Sequence, residues 1–351
     1  MSERPNDAAT TAPRTPGRLR PLRDQVVVVT GGSSGIGRET AVRMARSGAT
    51  VVVIARDEER LAATVAAITA DGGEARYILC DVSDAAAVAA AADTVEGWFG
   101  RIDTWVNNAG VLVYGRFEET SPAEFQRLME VNFLGQIHGA QAALPALRRA
   151  GGGALIAVSS VEASTALPLH SAYAATKRAV EGAMQVLRRE LRDQRDPISL
   201  TIIRPAVIDT PIYANARSHL QRRPSGPPPY YDASVVADAI LYAAAHPVAE
   251  VYAGGGGRML ALLQAAAPGA IDAVFGRWGV RMMHTAERLA PHPGNLAAPQ
   301  QGELPLMLPR RGRRWSVYTG LAVRPGVRRV VVLATAALAA GAVARAARSG
   351  R

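Results

Sequence analysis

Short runs of β-branched residues alternate with longer alanine-rich stretches between residue 25 and about residue 253. The short runs predict strands over residues 25–30, 50–55, 75–80, 102–106, 154–159, 198–203 and 250–253. Such alternation is typical of a parallel sheet that is covered by helices on both faces. The sequence therefore predicts one doubly wound α/β domain with a seven-stranded parallel sheet. One helix start is marked by Ser121-Pro122-Ala123-Glu124, a capping box with proline at the first helical position.

The first predicted strand runs directly into a glycine- and serine-rich turn that precedes a helix. Its sequence is Thr30-Gly31-Gly32-Ser33-Ser34-Gly35-Ile36-Gly37. Glycines let the backbone turn sharply and approach a pyrophosphate, and the helix N-terminus supplies N–H groups and positive potential. A plain strand-to-helix turn does not need this composition. The position after the first strand of an alternating α/β pattern therefore indicates a dinucleotide site.

The chain contains a single lysine among forty basic residues, and it follows a tyrosine at helical spacing. Tyr173 and Lys177 are four residues apart, so they share one helix face. An ammonium beside a phenol favours the phenolate, and we expect it to lower the pKa of Tyr173 toward the range of a general acid/base. A surface pair is the alternative, because this spacing alone is common.

Further motifs follow in order along residues 24–255. Asp81-Val82 follows the third predicted strand, and Asn107-Asn108-Ala109-Gly110 follows the fourth. Asn132 lies in a helix, and Ser160 precedes Tyr173 by thirteen residues. With the pattern Thr-Gly-x-x-x-Gly-x-Gly of the first turn, this set resembles the short-chain dehydrogenase/reductase family.

The resemblance implies a Rossmann fold and hydride transfer between a nicotinamide cofactor and a small-molecule alcohol or carbonyl. It implies that Tyr173 transfers the proton, Ser160 binds the substrate oxygen, Lys177 holds the nicotinamide ribose and Asn132 organises a water relay. His170 and His138 are alternative bases. The residues that the resemblance places at the cofactor are Gly31, Ser33, Ser34, Gly35, Ile36, Gly37, Arg56, Asp81, Val82, Asn108, Ala109, Gly110, Tyr173, Lys177, Pro205 and Thr210. A departure is Ala206 after Pro205, where the family usually has glycine, which puts the local backbone in doubt.

Charge at the end of the second strand bears on the choice of cofactor. An NAD site favours an acidic residue there, whereas an NADP site needs a cation for the 2′-phosphate. The chain has Arg56 at this position, followed by Asp57. We therefore expect NADP(H) to be favoured over NAD(H), and the alternative is that Arg56 is a surface residue paired with nearby acids.

The net charge of +10 comes from the two ends of the chain. Residues 303–351 contribute +9 and residues 1–24 contribute +2, which leaves about −1 for the body between them. Nucleic-acid binding is therefore not expected, and the sequence has no zinc-ligand spacing, so no metal is expected either. The single cysteine, Cys80, fits a reducing compartment and hence a cytoplasmic catalytic domain.

The rest of the chain divides into a predicted disordered basic arm over residues 1–23 and three segments after the catalytic domain of residues 24–255. These are a helical extension over 256–300, a Pro/Arg-rich linker over 301–325 and an apolar helix with basic flanks over 326–351. Residues 206–233 predict a substrate lid that carries Tyr213, Tyr230 and Tyr231. The stripe that begins with Met259, Leu262 and Leu263 predicts packing against the domain, with a dimer face or a membrane contact as alternatives.

Residues 330–344 are uncharged and lie between arginines. A helix of this length is short for a bilayer, so a membrane anchor, a docked helix and a frayed tail remain alternatives.

The lid and the apolar extension indicate a lipophilic substrate, and the family resemblance implies a homo-oligomer. Alternative functions are a catalytically silent dinucleotide sensor and a membrane-associated scaffold.

Overall fold

The computed structural model describes residues 19–300, 302, 305–307 and 312–324. Its strands are β1 Val26–Thr30, β2 Thr50–Ala55, β3 Ala75–Leu79, β4 Thr104–Asn107, β5 Val113–Tyr114, β6 Gly153–Val158, β7 Ile198–Pro205, β8 Val207–Asp209, β9 Arg217–Ser218, β10 Arg222–Pro224, β11 Tyr230–Asp232, β12 Glu250–Ala253 and β13 His284–Arg288. Its α-helices are α1 Gly35–Arg46, α2 Glu58–Ala70, α3 Ala85–Phe99, α4 Pro122–Leu128, α5 Gly135–Arg149, α6 Ser171–Asp193, α7 Ile212–Asn215, α8 Ala233–Ala245, α9 Gly255–Ala266, α10 Pro268–Val274, α11 Val280–Met282 and α12 Val317–Ala322.

Seven strands form one parallel sheet in the order β12-β7-β6-β4-β1-β2-β3. The chain builds outward from β1 to β3 and then returns to place β4 on the other side of β1. This reversal makes the carboxyl ends of β1 and β4 the switch point of the sheet, where ligands of open α/β sheets bind.

Alternate residues of β1 enter two different hydrophobic cores. Val26 and Val28 belong to the core that the sheet shares with α3, α5 and α6, whereas Val27 and Val29 belong to the core shared with α1, α2 and α8. Successive strand side chains point to opposite faces, so a strand covered on both faces must be apolar throughout. The continuous valine run of β1 meets this requirement.

The predicted doubly wound, seven-stranded sheet is confirmed, and the strand boundaries agree to within two residues. The predicted capping box is also present at the start of α4. The Ser121 side chain accepts from the Glu124 backbone N–H, and the Glu124 carboxylate accepts from the Ser121 N–H at 2.8 Å. A π-helical segment, Met129–Leu134, joins α4 to α5.

Residues 206–233 are more regular than the predicted lid. They contain β8, α7 and three further short strands, of which β11 pairs with β8 and β9 pairs with β5. Tyr231 is buried and its hydroxyl accepts from the Gly256 N–H at 3.0 Å, while Tyr230 donates to the Gly226 carbonyl. These two tyrosines therefore fix the segment, whereas Tyr213 lines the cleft.

The apolar stripe of α9 does not pack as predicted. Met259, Leu262 and Leu263 are 58%, 48% and 46% exposed, whereas Leu260 and Phe275 pack against the cluster beside the site. The buried residues of α9 are the small Gly257 and Ala261, so its packed face is not its most apolar one.

The sequence predicts a disordered arm up to residue 23, but Leu19 and Arg20 pack on the domain. Leu19 is buried, and Arg20 pairs with the buried Asp103 at 2.9 Å. Residues 1–18 and the predicted tail helix of residues 326–351 lie outside the described residues. Within the described residues, no single helix meets the length and hydropathy needed to cross a membrane, although α9 and the segment Pro268–Met282 pass together with a bend of 117°.

Candidate active site

The turn after β1 brings three backbone segments too close for side chains. Gly31 has a positive φ of 68°, and a Cβ there would lie 2.9 Å from both Ala109 Cα and Asn108 Nδ2. A Cβ on Gly37 would lie 2.1 Å from the Gly31 carbonyl oxygen. The turn therefore needs glycine at both positions, one for the turn itself and one for the packing of α1 against it.

The start of α1 presents its N-terminus to a cleft. Ser34 is the N-cap residue but makes no side-chain capping hydrogen bond. Ser34, Gly35 and Ile36 all line the cleft, and Thr210 lies against Gly35 on the other side. The first N–H groups of a helix have no intrahelical acceptor, and they carry its positive potential. The residues present thus fit the pyrophosphate of a dinucleotide.

The floor of the cleft is tied together by Thr30 at the end of β1. Its hydroxyl accepts from the N–H groups of Asn108 and Ala109 at 2.9 and 3.1 Å and donates to the Val106 carbonyl. Asn108 in turn donates from its side chain to the Thr30 carbonyl at 2.9 Å. These bonds hold the segment after β4 against the switch point, where Asn108, Ala109 and Gly110 line the cleft.

One end of the cleft is charged. Asp81 accepts from Ser83 and from Arg127, and its carboxylate lies 3.5 Å from Arg56. Burial favours the neutral acid, but the hydrogen bonds from Ser83 and Arg127 outweigh it and lower the pKa of Asp81. The neighbouring Cys80 stays a thiol, because burial and the nearby carboxylates raise its pKa to about 11.

The other end of the cleft brings Ser160, Tyr173 and Lys177 together. The Lys177 ammonium lies 5.5 Å from the centroid of the Tyr173 ring and donates to the Val158 carbonyl at 3.0 Å. Ser160 lies close enough to the Tyr173 phenol to lower its pKa, and the Ser160 Oγ accepts from the Glu162 N–H at 3.1 Å. Because that oxygen is held by a backbone donor, its own proton is directed elsewhere.

The expected lowering of the Tyr173 pKa is wrong for the protein alone. Burial of the phenol and the negative charge of Glu162 raise the pKa above its usual value, and the hydrogen bond to Ser160 offsets them only in part. Burial also lowers the pKa of Lys177 to about 8, against the attraction of Glu162 and Glu181. For both side chains, desolvation therefore shifts the pKa more strongly than the charges of the neighbouring carboxylates do.

Asn132 supports the site from behind the cleft wall. Its side chain is fully buried in the π-helical segment, donates to the Val111 carbonyl at 2.9 Å and accepts from the Val111 N–H at 2.8 Å. The side-chain nitrogen also donates to the Thr176 hydroxyl at 3.3 Å. The geometry gives this side chain a positioning role for the segment after β4.

Sequence reasoning missed Glu162, which is buried in the cleft wall beside His170. The Glu162 carboxylate lies 3.0 Å from His170 Nδ1 and orients the ring, whereas His170 Nε2 is buried without a hydrogen-bond partner among the described residues. The spacing of eight residues carries no sequence signal for such a pair. His138 does not line the cleft; its Nδ1 contacts the Val82 carbonyl at 2.9 Å.

The structure places most of the predicted cofactor residues on one surface. Those that line the cleft are Gly31, Ser33, Ser34, Gly35, Ile36, Arg56, Asp81, Val82, Asn108, Ala109, Gly110, Tyr173, Lys177, Pro205 and Thr210. Gly37 and Asn132 do not reach the wall and act by packing and positioning. The cleft is also lined by Arg60, Asn295, Pro299 and Gln300, which no sequence motif indicated.

Ala206 is accommodated without strain. It is not among the residues with positive φ, and its N–H donates to the Ala253 carbonyl at 2.8 Å. Cβ atoms on Gly254 and Gly257 would lie 2.7 and 3.0 Å from the Ala206 methyl. The extra methyl therefore fits because the following segment has glycine at both contact positions.

The family comparison agrees with this geometry. The sequence model described as short chain dehydrogenase matches residues 25–221. This chain belongs to the short-chain dehydrogenase family. It is 37% identical over 273 residues to the uncharacterized oxidoreductase YxnA of Bacillus subtilis, which covers 77% of this chain and 76% of that protein.

Other relatives match the dehydrogenase region over a smaller share of their length. Dehydrogenase/reductase SDR family member 7B of Bos taurus is 37% identical over 56% of this chain and 61% of its own.

Among solved structures, a short-chain dehydrogenase/reductase from Burkholderia phymatum in complex with NAD covers 72% of this chain and 96% of its own, with 26% identity and a TM-score of 0.65. An alcohol dehydrogenase from Thermococcus sibiricus complexed with 5-hydroxy-NADP covers 65% of this chain and 95% of its own, with 28% identity and a TM-score of 0.56.

Family membership, together with a cleft that fits a dinucleotide, makes the chain an NAD(P)-dependent dehydrogenase/reductase. The site is built where the family fold places it, at the carboxyl ends of β1 and β4.

Proposed function

We propose that this short-chain dehydrogenase is an NADP(H)-dependent oxidoreductase that interconverts a lipophilic ketone or aldehyde and its alcohol. The observation that carries the proposal is the convergence of Ser160, Tyr173 and Lys177 at one end of a cleft whose other end has glycine and arginine walls. A bound nicotinamide dinucleotide would supply or accept the hydride.

The roles of the side chains follow from their contacts. Tyr173 donates a proton to the carbonyl oxygen during reduction, since its phenol lines the cleft beside Ser160 and Lys177. Ser160 donates a hydrogen bond to the same oxygen, because its own oxygen is already held by the Glu162 N–H. Lys177 provides a buried ammonium beside the phenol, and Asn132 positions the segment after β4.

A lipophilic substrate is supported by the wall next to Tyr173. That wall contains Leu112, Leu167, Ile212 and Tyr213, which belong to one apolar cluster or pack against it. Each Å² of apolar substrate surface that is buried there stabilises the complex by about 25 cal/mol. Small polar ketones gain little of this stabilisation.

A panel of carbonyl compounds tests the activity directly. Purified enzyme with NADPH should reduce aromatic or medium-chain ketones with kcat/KM at least tenfold above that for a small polyhydroxylated ketone such as dihydroxyacetone. NADPH and NADH binding should be measured in parallel by fluorescence titration. Tight NADPH binding without turnover of any compound in a broad panel would favour the silent dinucleotide sensor instead.

Cofactor preference is tested at Arg56, which we propose to bind the ribose 2′-phosphate. Removing a charge-assisted contact costs about 1.5–3 kcal/mol, so Arg56→Gln should weaken NADPH binding roughly 10- to 100-fold. NADH binding should change little. Arg192→Gln is the matched control, because Arg192 is exposed on α6 and does not line the cleft. Equal loss for both cofactors would contradict the assignment.

A further inference from the structure

The segment after β13 crosses the charged end of the cleft. We call residues 291–300 the strap. The strap is anchored first by backbone bonds: His292 and Ser218 exchange N–H···O bonds of 3.0 Å, and the Asn295 N–H donates to the Asn215 carbonyl at 2.8 Å. These bonds attach it to the short segment that contains β9 and the end of α7, directly beside the cleft.

Four arginines of the dehydrogenase domain donate to carbonyl oxygens of the strap. Their bonds are Arg217 to His292 at 3.1 Å, Arg127 to Leu296 at 3.2 Å, Arg56 to Asn295 and Ala297 at 2.7 and 3.2 Å, and Arg60 to Gln300 at 2.7 Å. A carbonyl oxygen accepts a hydrogen bond without cancelling the charge of the guanidinium. The strap therefore fixes the direction of these side chains and leaves them cationic.

Two of the four arginines face the cleft together with the strap itself. Arg56 and Arg60 line the same cavity as Asn295, Pro299 and Gln300. Each of the two arginines also faces one carboxylate, Asp81 at 3.5 Å from Arg56 and Asp57 at 2.5 Å from Arg60. A 2′-phosphate carries more negative charge than one guanidinium can match, so two fixed guanidiniums form a better partner than one.

We propose that the strap is part of the cofactor site: it holds Arg56 and Arg60 as a pair of cations for the ribose 2′-phosphate. This inference rests on the proposed preference for NADP(H) and extends it to Arg60 and to a segment beyond residues 25–221, which the family model covers. Without the strap, each arginine would have to lose considerable side-chain freedom on binding the phosphate. The strap therefore makes the preference for NADP(H) depend on a segment outside the residues that the family model matches.

One glycine allows the strap to be displaced without changing any group that would touch the cofactor. Gly294 has a φ of 59°, and a Cβ there would lie 2.3 Å from the Asn215 carbonyl oxygen and 2.4 Å from Ala216 C. Gly294→Ala must therefore push the strap away from residues 215–217. Gly72→Ala is the matched control, because Gly72 has a φ of 81° and no atom within 4 Å of its added Cβ.

The experiment measures NADPH and NADH dissociation constants of the full chain by fluorescence titration. Gly294→Ala should raise the NADPH Kd roughly tenfold or more while the NADH Kd changes less than about threefold. Gly72→Ala should leave both constants unchanged. Arg60→Gln, which keeps the strap glycine, should produce the same selective loss and covers the case in which Gly294→Ala does not fold.

Hydrogen exchange gives a second readout that does not depend on affinity. The amides of His292 and Asn295 should exchange more slowly with saturating NADPH than with saturating NADH. If wild type prefers NADPH but both variants keep that preference, the inference about the strap is overturned and the proposed function stands. A parallel rise of both constants also overturns it. Equal wild-type affinities would overturn the NADP(H) preference, and the inference with it.

Discussion

Lys177 should make the stability of the cofactor-free protein rise with pH. The residue is 3% exposed, and burial lowers the pKa of its ammonium from 10.5 to about 8. A fall of this size corresponds to a free-energy cost on the order of 3 kcal/mol for keeping the buried lysine charged. Below pH 8 the folded and unfolded states both carry the proton, so the folded state pays this cost in full.

The direction of the effect follows from proton binding. Between pH 8 and 10.5 the unfolded lysine holds its proton while the folded one has lost it, so the free energy of unfolding increases with pH. Urea unfolding at pH 7, 8, 9 and 10 should be compared between wild type and Lys177→Met. From pH 7 to 10 the free energy of unfolding of wild type should rise by about 2–3 kcal/mol relative to that of the variant.

A neighbouring residue provides the control for that measurement. Arg178 follows Lys177 on α6 but is exposed, so Arg178→Met should show the same pH dependence as wild type. Taking the difference between wild type and Lys177→Met removes most contributions from other groups. A difference that stays constant from pH 7 to 10 would refute the conclusion that Lys177 is desolvated.

Three further changes test the turn, the core and the cleft. Gly37→Ala places a Cβ 2.1 Å from the Gly31 carbonyl and should raise the NADPH Kd more than about tenfold, whereas Gly97→Ala in open space on α3 should not. Glu181→Gln breaks the ion pair with Arg204, in which the two carboxylate oxygens lie 2.6 and 2.7 Å from guanidinium nitrogens. The substitution should lower the free energy of unfolding by about 3 kcal/mol and Tm by roughly 6–12 °C in a thermal melt. A loss of less than about 1 kcal/mol would show that the pair is solvated. Glu162→Gln removes a charge that raises the pKa values of Tyr173 and Lys177, so the pH-dependent gain in stability should begin at a lower pH than in wild type. An unchanged onset would mean that Glu162 does not act on Lys177.

The sequence predicted the sheet because its signals are local. A valine run such as that of β1 is compatible with little except a strand buried on both faces, and the capping box at Ser121 depends only on residues three apart. The glycine turn was also predictable in part, since a Cβ on Gly37 would lie 2.1 Å from the Gly31 carbonyl oxygen within the same strand-to-helix connection. In such places the nearest neighbours in sequence are also the neighbours in space.

What could not be predicted depends on packing between distant segments. The sign of the Tyr173 pKa shift is set by burial and by Glu162, and neither is visible from the spacing between Tyr173 and Lys177. The strap reads as an irregular Pro-rich segment, because its contacts are backbone carbonyls that accept from arginines more than 70 residues away. Backbone acceptors leave no pattern in side-chain composition, so the involvement of Asn295 and Gln300 could come only from the fold.

The central claim is that the Tyr173 phenol transfers the proton beside a bound dinucleotide. Tyr173→Phe removes only the hydroxyl group, so NADPH binding measured by fluorescence should stay within about threefold of wild type, while kcat for the best ketone should fall roughly 100- to 10,000-fold. Turnover near the wild-type rate with intact NADPH binding would contradict the account.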